Sequence, residues 1–125
     1  MSATRRYEEL VAWQKAMDLV DVVYDLTESW PQAEVYGIRS QVRRSIVSVP
    51  ANIAEVQGRT GIGEYLHHLS IAFGSLMETE TVLSVGHRRG FTSKDDHERA
   101  MDLSLEVGRL ILGMITSLRR ARGKD

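Results

Sequence analysis

The chain contains 125 residues, of which 42% are apolar, and this gives one domain enough hydrophobic material for its own core. It contains no cysteine, which excludes a disulfide scaffold, a thiolate zinc site, an iron–sulfur cluster and a cysteine nucleophile. Its 16 lysine and arginine residues nearly balance 17 aspartate and glutamate residues, so no net field draws the whole molecule onto nucleic acid or a membrane.

Turn-forming residues divide the chain into four segments of helical length. The breaks fall at Trp30-Pro31, at residues 58–63 and at residues 86–93. Four amphipathic helices with short links predict an all-α fold, an antiparallel up-down four-helix bundle. The predicted helices span residues 7–29, 34–56, 62–86 and 93–120, and residues 121–125 are predicted as a flexible basic tail.

The first helix is predicted to bury a face whose apolar residues alternate at spacings of three and four. That face consists of Leu10, Trp13, Met17, Val20, Tyr24 and Thr27. The polar residues Gln14, Lys15, Asp18 and Asp21 interrupt the same segment, so we predict neither a signal-peptide core nor a membrane span. We expect a cytoplasmic protein without membrane contact.

The second helix is interrupted by Pro50, which removes one amide donor and frees the carbonyl of Ile46. We expect a kink there, with Ser45, Ser48 or Asn52 near the freed groups. Its predicted apolar face consists of Val35, Ile38, Val42, Val49 and Ile53.

The third helix has one apolar face and the fourth has two. Gly74 lies in the middle of the third helix, where glycine costs up to about 1 kcal/mol relative to alanine, and this predicts a close helix approach inside the bundle or between subunits. The apolar face of the third helix is Tyr65, Leu69, Ala72, Leu76 and Leu83. The fourth is predicted to bury Ala100, Leu103, Val107, Leu110 and Met114 in the core. Its second face, predicted to form a subunit interface, is Met101, Leu105, Leu112 and Ile115.

Metal chemistry has a weak sequence signal. Glu64 and His67 match the Glu-x-x-His spacing of di-iron bundles, but no second copy of that spacing occurs on another helix. We therefore expect no metal, no cofactor and no catalytic residues, although a metal-dependent oxidase stays an alternative that metal analysis can test.

Arginine outnumbers lysine 13 to 3, and the planar guanidinium suits phosphate binding. Arginines in the second helix and near the end of the chain are the candidates for nucleic-acid contact. An alternative is that they pair with the acidic first helix or with helix C-termini. The candidates are Arg39, Arg43, Arg44, Arg59, Arg88, Arg89, Arg119, Arg120, Arg122 and Lys124.

Three stretches together resemble a known family. They are residues 10–16 (LVAWQKA), residues 41–55 (QVRRSIVSVPANIAE) and residues 71–80 (IAFGSLMETE). They are similar to the four-helix bundle proteins encoded in intervening sequences of large-subunit ribosomal RNA, relatives of the accessory variability determinant of diversity-generating retroelements. The resemblance covers about residues 7–118.

This resemblance implies a ring-like homopentamer without catalytic activity, and contact with RNA or DNA of the kind expected for the basic retroelement relatives. It also implies architectural roles for Trp13, Pro50, Asn52, Glu55, Gly74, Ser75 and Glu78. The family usually has glycine after the motif glutamate, where this chain has Val56, so the second helix is expected to run slightly longer or its turn to be shifted.

Two function hypotheses follow. In the first, a non-enzymatic oligomer binds nucleic acid through arginine-rich faces that symmetry repeats. In the second, the oligomer is a protein-interaction scaffold without nucleic-acid affinity. Net charge does not separate the two.

Overall fold

The computed structural model describes residues 6–58 and 61–123. Within these ranges the chain forms four α-helices and no strand, which confirms the all-α, four-helix prediction. The helices are α1 (Val11–Thr27), α2 (Ile38–Gln57), α3 (Ile62–Arg88) and α4 (Lys94–Gly123). Short 3-10 turns at Arg6–Glu9 and Gln32–Glu34 precede α1 and α2.

The helices are arranged so that each packs against two others. In the described ranges, α1 and α3 each contact both α2 and α4, and the α2–α3 contact is the most extensive. The α1–α2 pair and the α3–α4 pair therefore form opposite sides of the bundle. The largest fully buried core side chains are Leu19, Ile46, Ile53, Leu69, Leu76, Leu83 and Ile111.

The buried face of α1 is not the predicted one. The core receives Ala12, Ala16, Leu19, Val23 and Leu26. Of the predicted set, Thr27 is buried, Leu10, Trp13 and Val20 are half-buried, and Met17 and Tyr24 are exposed. The predicted stripe and the buried stripe lie side by side on α1 and have the same alternating spacing. The spacing alone therefore does not show which of them is buried.

Helix α2 begins four residues later than predicted. Residues 32–34 form a 3-10 turn first, so Val35 lies outside the helix, and the Glu34 carboxylate accepts a hydrogen bond from the Ile38 amide at 3.3 Å. The helix runs through Pro50 to Gln57, one residue past Val56, in agreement with the longer helix that Val56 predicts. Near the proline, Asn52 Nδ2 donates to the Ser48 carbonyl at 2.9 Å.

Helix α3 follows its prediction closely, whereas α4 buries a shifted face. Of the predicted face of α3, Leu69, Ala72, Leu76 and Leu83 are buried and Tyr65 is half-buried against the core. On α4, Ala100 and Val107 are buried as predicted, but Ile111 is buried in place of Leu103, Leu110 and Met114, which are half-buried. Ser93 Oγ accepts a hydrogen bond from the Asp96 amide at 3.2 Å and caps α4. The helix continues to Gly123, so residues 121–123 are helical where a tail was predicted. Arg59 and Lys124, two predicted contact residues, lie outside the described residues.

The glycine that another part of the chain approaches closely is Gly86 and not Gly74. Gly74 is exposed, and a Cβ there would meet no atom within 4 Å, so the expected approach inside the bundle is wrong. A Cβ on Gly86 would instead collide with the indole of Trp30. That buried indole donates from Nε1 to Thr92 Oγ1 at 2.8 Å, which links the end of α1 to the turn between α3 and α4.

Candidate nucleic-acid interface

The fold separates the candidate arginines into two groups. Arg43 bonds the end of α1, and Trp30, just beyond that end, packs on Gly86 of α3. The start of α2 and the end of α3 therefore share one end of the bundle. This group, called the α2–α3 arginine end, consists of Arg39, Arg43, Arg44, Arg88 and Arg89.

The second group lies at the other end. Helix α4 starts beside Trp30 and has 30 residues. At 1.5 Å per residue the helix is about 45 Å long, so its last turn is about 40 Å from its first. Arg119, Arg120 and Arg122 are exposed there. One subunit therefore does not present all the candidates as a single surface.

Arg43 is a structural residue of the α1–α2 contact. Its Nε donates to Thr27 Oγ1 at 3.0 Å, and its Nη2 donates to the Tyr24 carbonyl at 3.0 Å. The guanidinium carbon lies 4.4 Å above the Tyr24 ring centroid. Because carbonyls in the last turn of a helix lack intrahelical partners, this side chain completes the C-terminus of α1. Its side chain is only 19% exposed.

Arg39 shares an ion-pair partner with Arg43. Both Nη2 atoms lie 3.1 Å from Glu28 Oε2. Glu34 is the second nearby carboxylate, and it bonds the first amide of α2. Arg44 adds a third guanidinium to this part of α2, and the exposed Asp25 in the last turn of α1 adds a third carboxylate, so the charges here nearly balance.

Arg44 is the residue of this trio that solvent reaches. Its Nη1 donates to Ser40 Oγ one turn earlier on α2, and the residue is exposed. It borders an open groove of about 720 Å³ between α1 and α2. The apolar side chains of this groove are Tyr24, Val35 and Val47. Arg88 and Arg89 are also exposed.

Residues of the family motif form a polar ladder between α2 and α3. Its three rungs are Ser45 Oγ with Thr79 Oγ1 at 2.8 Å, Ser75 Oγ donating to Ser48 Oγ at 2.9 Å, and Asn52 Oδ1 with His68 Nδ1 at 2.9 Å. Among the described residues, no buried side-chain nitrogen or oxygen lacks a hydrogen-bond partner. Thr79 and His68 were missed at the sequence level, although short polar residues across from Ser45 and Asn52 are the signal that could have found them.

The remaining motif residues lie apart from this ladder. Trp13 packs edge-on against Tyr7 with ring centroids 5.3 Å apart, and Pro50 is buried. Glu55 and Glu78 are exposed. Glu80, beside the motif, accepts a hydrogen bond from Ser104 of α4 at 2.6 Å.

Glu64 and His67 are both exposed on α3. Across residues 6–58 and 61–123, no group of three or more histidine, cysteine, aspartate or glutamate side chains could hold a metal ion. None of the helices in these ranges has both the length and the apolarity needed to cross a membrane.

Only part of the predicted interface face of α4 is exposed. Leu105 and Leu112 are 52% and 46% exposed. Met101 is half-buried. Ile115 is only 9% exposed and belongs to the core, because it lies one turn beyond the core residue Ile111 on the same face. Ile115 is therefore withdrawn from the interface candidates.

Two histidines stack beside the turn between α3 and α4. The His87 and His97 rings are 4.4 Å apart and nearly parallel, at 7°. His87 Nδ1 lies 3.0 Å from the Thr92 carbonyl. Burial, and secondarily His87, lower the pKa of His97 against an opposing effect of Glu98.

The fold and its motif define the class, which is a four-helix bundle with a polar α2–α3 ladder and an arginine-bearing end. The family model of the 23S rRNA-intervening sequence proteins matches residues 8–113, and the chain belongs to that family. The family membership inferred from the sequence is thereby confirmed. Among curated proteins, none matches this chain.

A solved structure shows the same fold. It is the crystal structure of a protein of unknown function from the S23 ribosomal protein family of Bacteroides thetaiotaomicron. The two chains are 23% identical and superpose with a TM-score of 0.77, over 85% of this chain and 96% of the other. At this identity the likeness establishes the fold and not the activity.

Proposed function

We propose that the protein is a non-enzymatic, cytoplasmic bundle of antiparallel up-down helices that assembles as a ring-like homo-oligomer and binds nucleic acid. The observation that carries the proposal is the set of exposed guanidinium groups at the α2–α3 arginine end. Arg44, Arg88 and Arg89 are all exposed there, while the nearby carboxylate of Glu28 is shared by two other arginines. Exposed arginines suit contact with phosphate oxygens.

The ring is supported by two different apolar patches on opposite sides of the bundle. The α3–α4 side exposes Met77, Leu105 and Leu112. The α1–α2 side has a depression lined by Tyr7, Trp13, Met17, Val47, Pro50, Ala51 and Ala54. A contact between two unlike patches is head-to-tail, and such contacts form a ring when the rotation closes.

Symmetry resolves the conflict between nucleic-acid binding and a formal net charge of −1. A ring repeats one weak cationic patch once per subunit, five times in the homopentamer that the family resemblance implies. Several patches on one strand raise avidity by about a hundredfold or more without a new contact.

Binding of the purified protein to labelled RNA and DNA across a salt series tests the nucleic-acid function. For duplex DNA the log–log slope is about −0.9 per phosphate contact, and it is smaller for single strands. Replacing Arg44, Arg88 and Arg89 together with glutamine should reduce the affinity and flatten the slope. Arg109→Gln, on the exposed stripe of α4, is the matched control. If the triple variant binds as well as the original protein, and replacing Arg119, Arg120 and Arg122 weakens binding, the binding site lies at the other end of the bundle.

The assembly is tested by Leu105→Glu and Leu112→Glu. A charge on a buried apolar contact is costly, so both variants should give smaller soluble species by light scattering. Val85→Glu, an exposed apolar position on α3, is the control and should leave the mass unchanged. An intact oligomer in the leucine variants would place the interface elsewhere.

A protein-interaction scaffold is the second candidate, and the two exposed apolar patches favour it. It predicts no affinity for RNA or DNA even near 50 mM salt, where phosphate contacts are strong. In this case the α1–α2 depression binds the partner instead of the next subunit, so Met17→Glu should abolish binding of that partner protein.

A further inference from the structure

Tyr36 is the most exposed large apolar or aromatic side chain in the described part of the protein, at 98%. It lies in the link between the 3-10 turn Gln32–Glu34 and the first turn of α2. Single exposed apolar side chains are common on proteins and carry no meaning alone. The surroundings of Tyr36 distinguish it, because it adjoins the α2–α3 arginine end.

The neighbouring groove has the composition of a base-binding surface. Val35, directly before Tyr36, lines the groove between α1 and α2 with Tyr24 and Val47. The Arg43 guanidinium already stacks on the Tyr24 ring, 4.4 Å from its centroid. Apolar and aromatic walls with guanidinium groups on one side provide flat contacts for the face of a nucleobase.

A phosphate contact is available on the adjoining helix α2. Tyr36 lies two residues before α2 starts at Ile38, and Arg44 lies six residues, about 9 Å, along that helix. The other charges near this part of α2 are Arg39 and Arg43, paired with Glu28, Glu34, bonded to the α2 amide, and Asp25, exposed in the last turn of α1. Arg44 is therefore the exposed guanidinium that a strand reaching along α2 from Tyr36 would meet.

From this juxtaposition we infer that the start of α2 binds single-stranded nucleic acid, with an unpaired base stacked on the Tyr36 ring and a backbone phosphate held by Arg44. The inference rests on the proposed nucleic-acid function and specifies its substrate class. Bases of a duplex stack on each other and hide their faces, so a protruding ring has no face to contact there. Arginines bind phosphates of either form, and Tyr36 is the group that discriminates.

The experiment measures the affinity of the intact protein for a labelled single-stranded oligonucleotide and for its duplex, as RNA and as DNA, near 150 mM salt. Tyr36→Ala should weaken single-strand binding by about five- to one-hundredfold, the range for losing one stacked base. Tyr36→Phe keeps the ring and should bind like the original protein. Val11→Ala, an exposed apolar position at the far end of α1, is the matched control.

The outcomes separate this inference from the proposed function. Loss with Tyr36→Ala, retention with Tyr36→Phe and an unchanged duplex affinity would support it, as would ultraviolet crosslinking of Tyr36 to the single strand. Equal affinity of the original protein and Tyr36→Ala for both forms, with weaker binding in Arg44→Gln, would overturn the inference and leave nucleic-acid binding standing. No binding of any probe, even near 50 mM salt, would overturn the proposed function itself.

Discussion

Helix α2 makes different polar contacts with its two neighbours. Its contact with α3 is closely packed, whereas its contact with α1 leaves a groove. Toward α3 it presents Ser45, Ser48 and Asn52, whose short side chains form the polar ladder. Toward α1 it presents Arg43, whose long side chain reaches the last turn of that helix. The α2–α3 contact is the more extensive one, while a groove remains between α1 and α2. Short hydroxyl groups allow helices to close on each other, whereas a long guanidinium joins them across a space that a ligand can use.

Overpacking the ladder should have the largest effect on stability. Ser45→Leu adds a bulky side chain at a buried position and leaves Thr79 Oγ1 without its partner across the interface. Overpacking and the lost hydrogen bond together should lower the free energy of unfolding by about 3 kcal/mol. Chemical denaturation measures it, with Val85→Leu on the exposed side of α3 as the control. A loss below about 1 kcal/mol would show that the α2–α3 contact is looser than this comparison requires.

Removing the Arg43 side chain should lower the free energy of unfolding by a smaller amount. Arg43→Ala removes the guanidinium that donates to the Thr27 hydroxyl and to the Tyr24 carbonyl and that covers the Tyr24 ring, and the expected loss is about 2 kcal/mol. Arg44→Ala, at an exposed position in the same turn, should change stability by less than about 0.5 kcal/mol. Equal effects of the two substitutions in a denaturation series would contradict the structural role of Arg43.

The middle rung of the ladder should have a smaller effect. Ser75→Ala removes the hydroxyl that donates to Ser48 Oγ, but both residues are only half-buried, so water can replace the bond. The expected loss is about 0.5–1 kcal/mol. Ser70→Ala, on the exposed face of α3, is the control, and a loss as large as that of Ser45→Leu would mean that the rungs act as one unit.

The pH dependence of stability should show a small effect from a region outside both contacts. Because the pKa of His97 is lowered below its ordinary 6.5 in the fold, protons bind the unfolded chain more readily. Its contribution to stability is complete above that ordinary pKa and is lost as the pH falls below it. Between about pH 7.5 and about pH 5.5, unfolding free energy should fall less in His97→Gln than in the original protein. Identical pH profiles would remove His97 from this role.

Local patterns predicted the parts of the molecule that depend on local interactions. The signals that end or start a helix act within a few residues; here they are Pro31, the glycines near residue 60 and the Ser93 cap. The predicted helix limits therefore agree with the observed ones to within about four residues. The core face of α3 was also predicted, because only one apolar stripe with helical spacing runs along it.

The sequence predicted the arginines of the candidate site but not where each of them lies in the fold. Arg43 and Arg44 are adjacent in sequence and equally basic, yet one is bonded to α1 and the other is exposed. Tyr36 was not selected, because the sequence does not show that its ring stays outside the core. Exposure of a side chain is decided by which helices pack around it.

The sequence by itself determined four helices, their approximate limits and the family, because helix periodicity, turn residues and motif spacing are properties of neighbouring residues. The tertiary structure alone decided which of the two stripes on α1 is buried and which glycine meets an indole. It also decided which arginine is exposed. The contact of Trp30 with Gly86 and the bonds of Arg43 to α1 join residues distant along the chain, and such contacts exist only after the helices have packed.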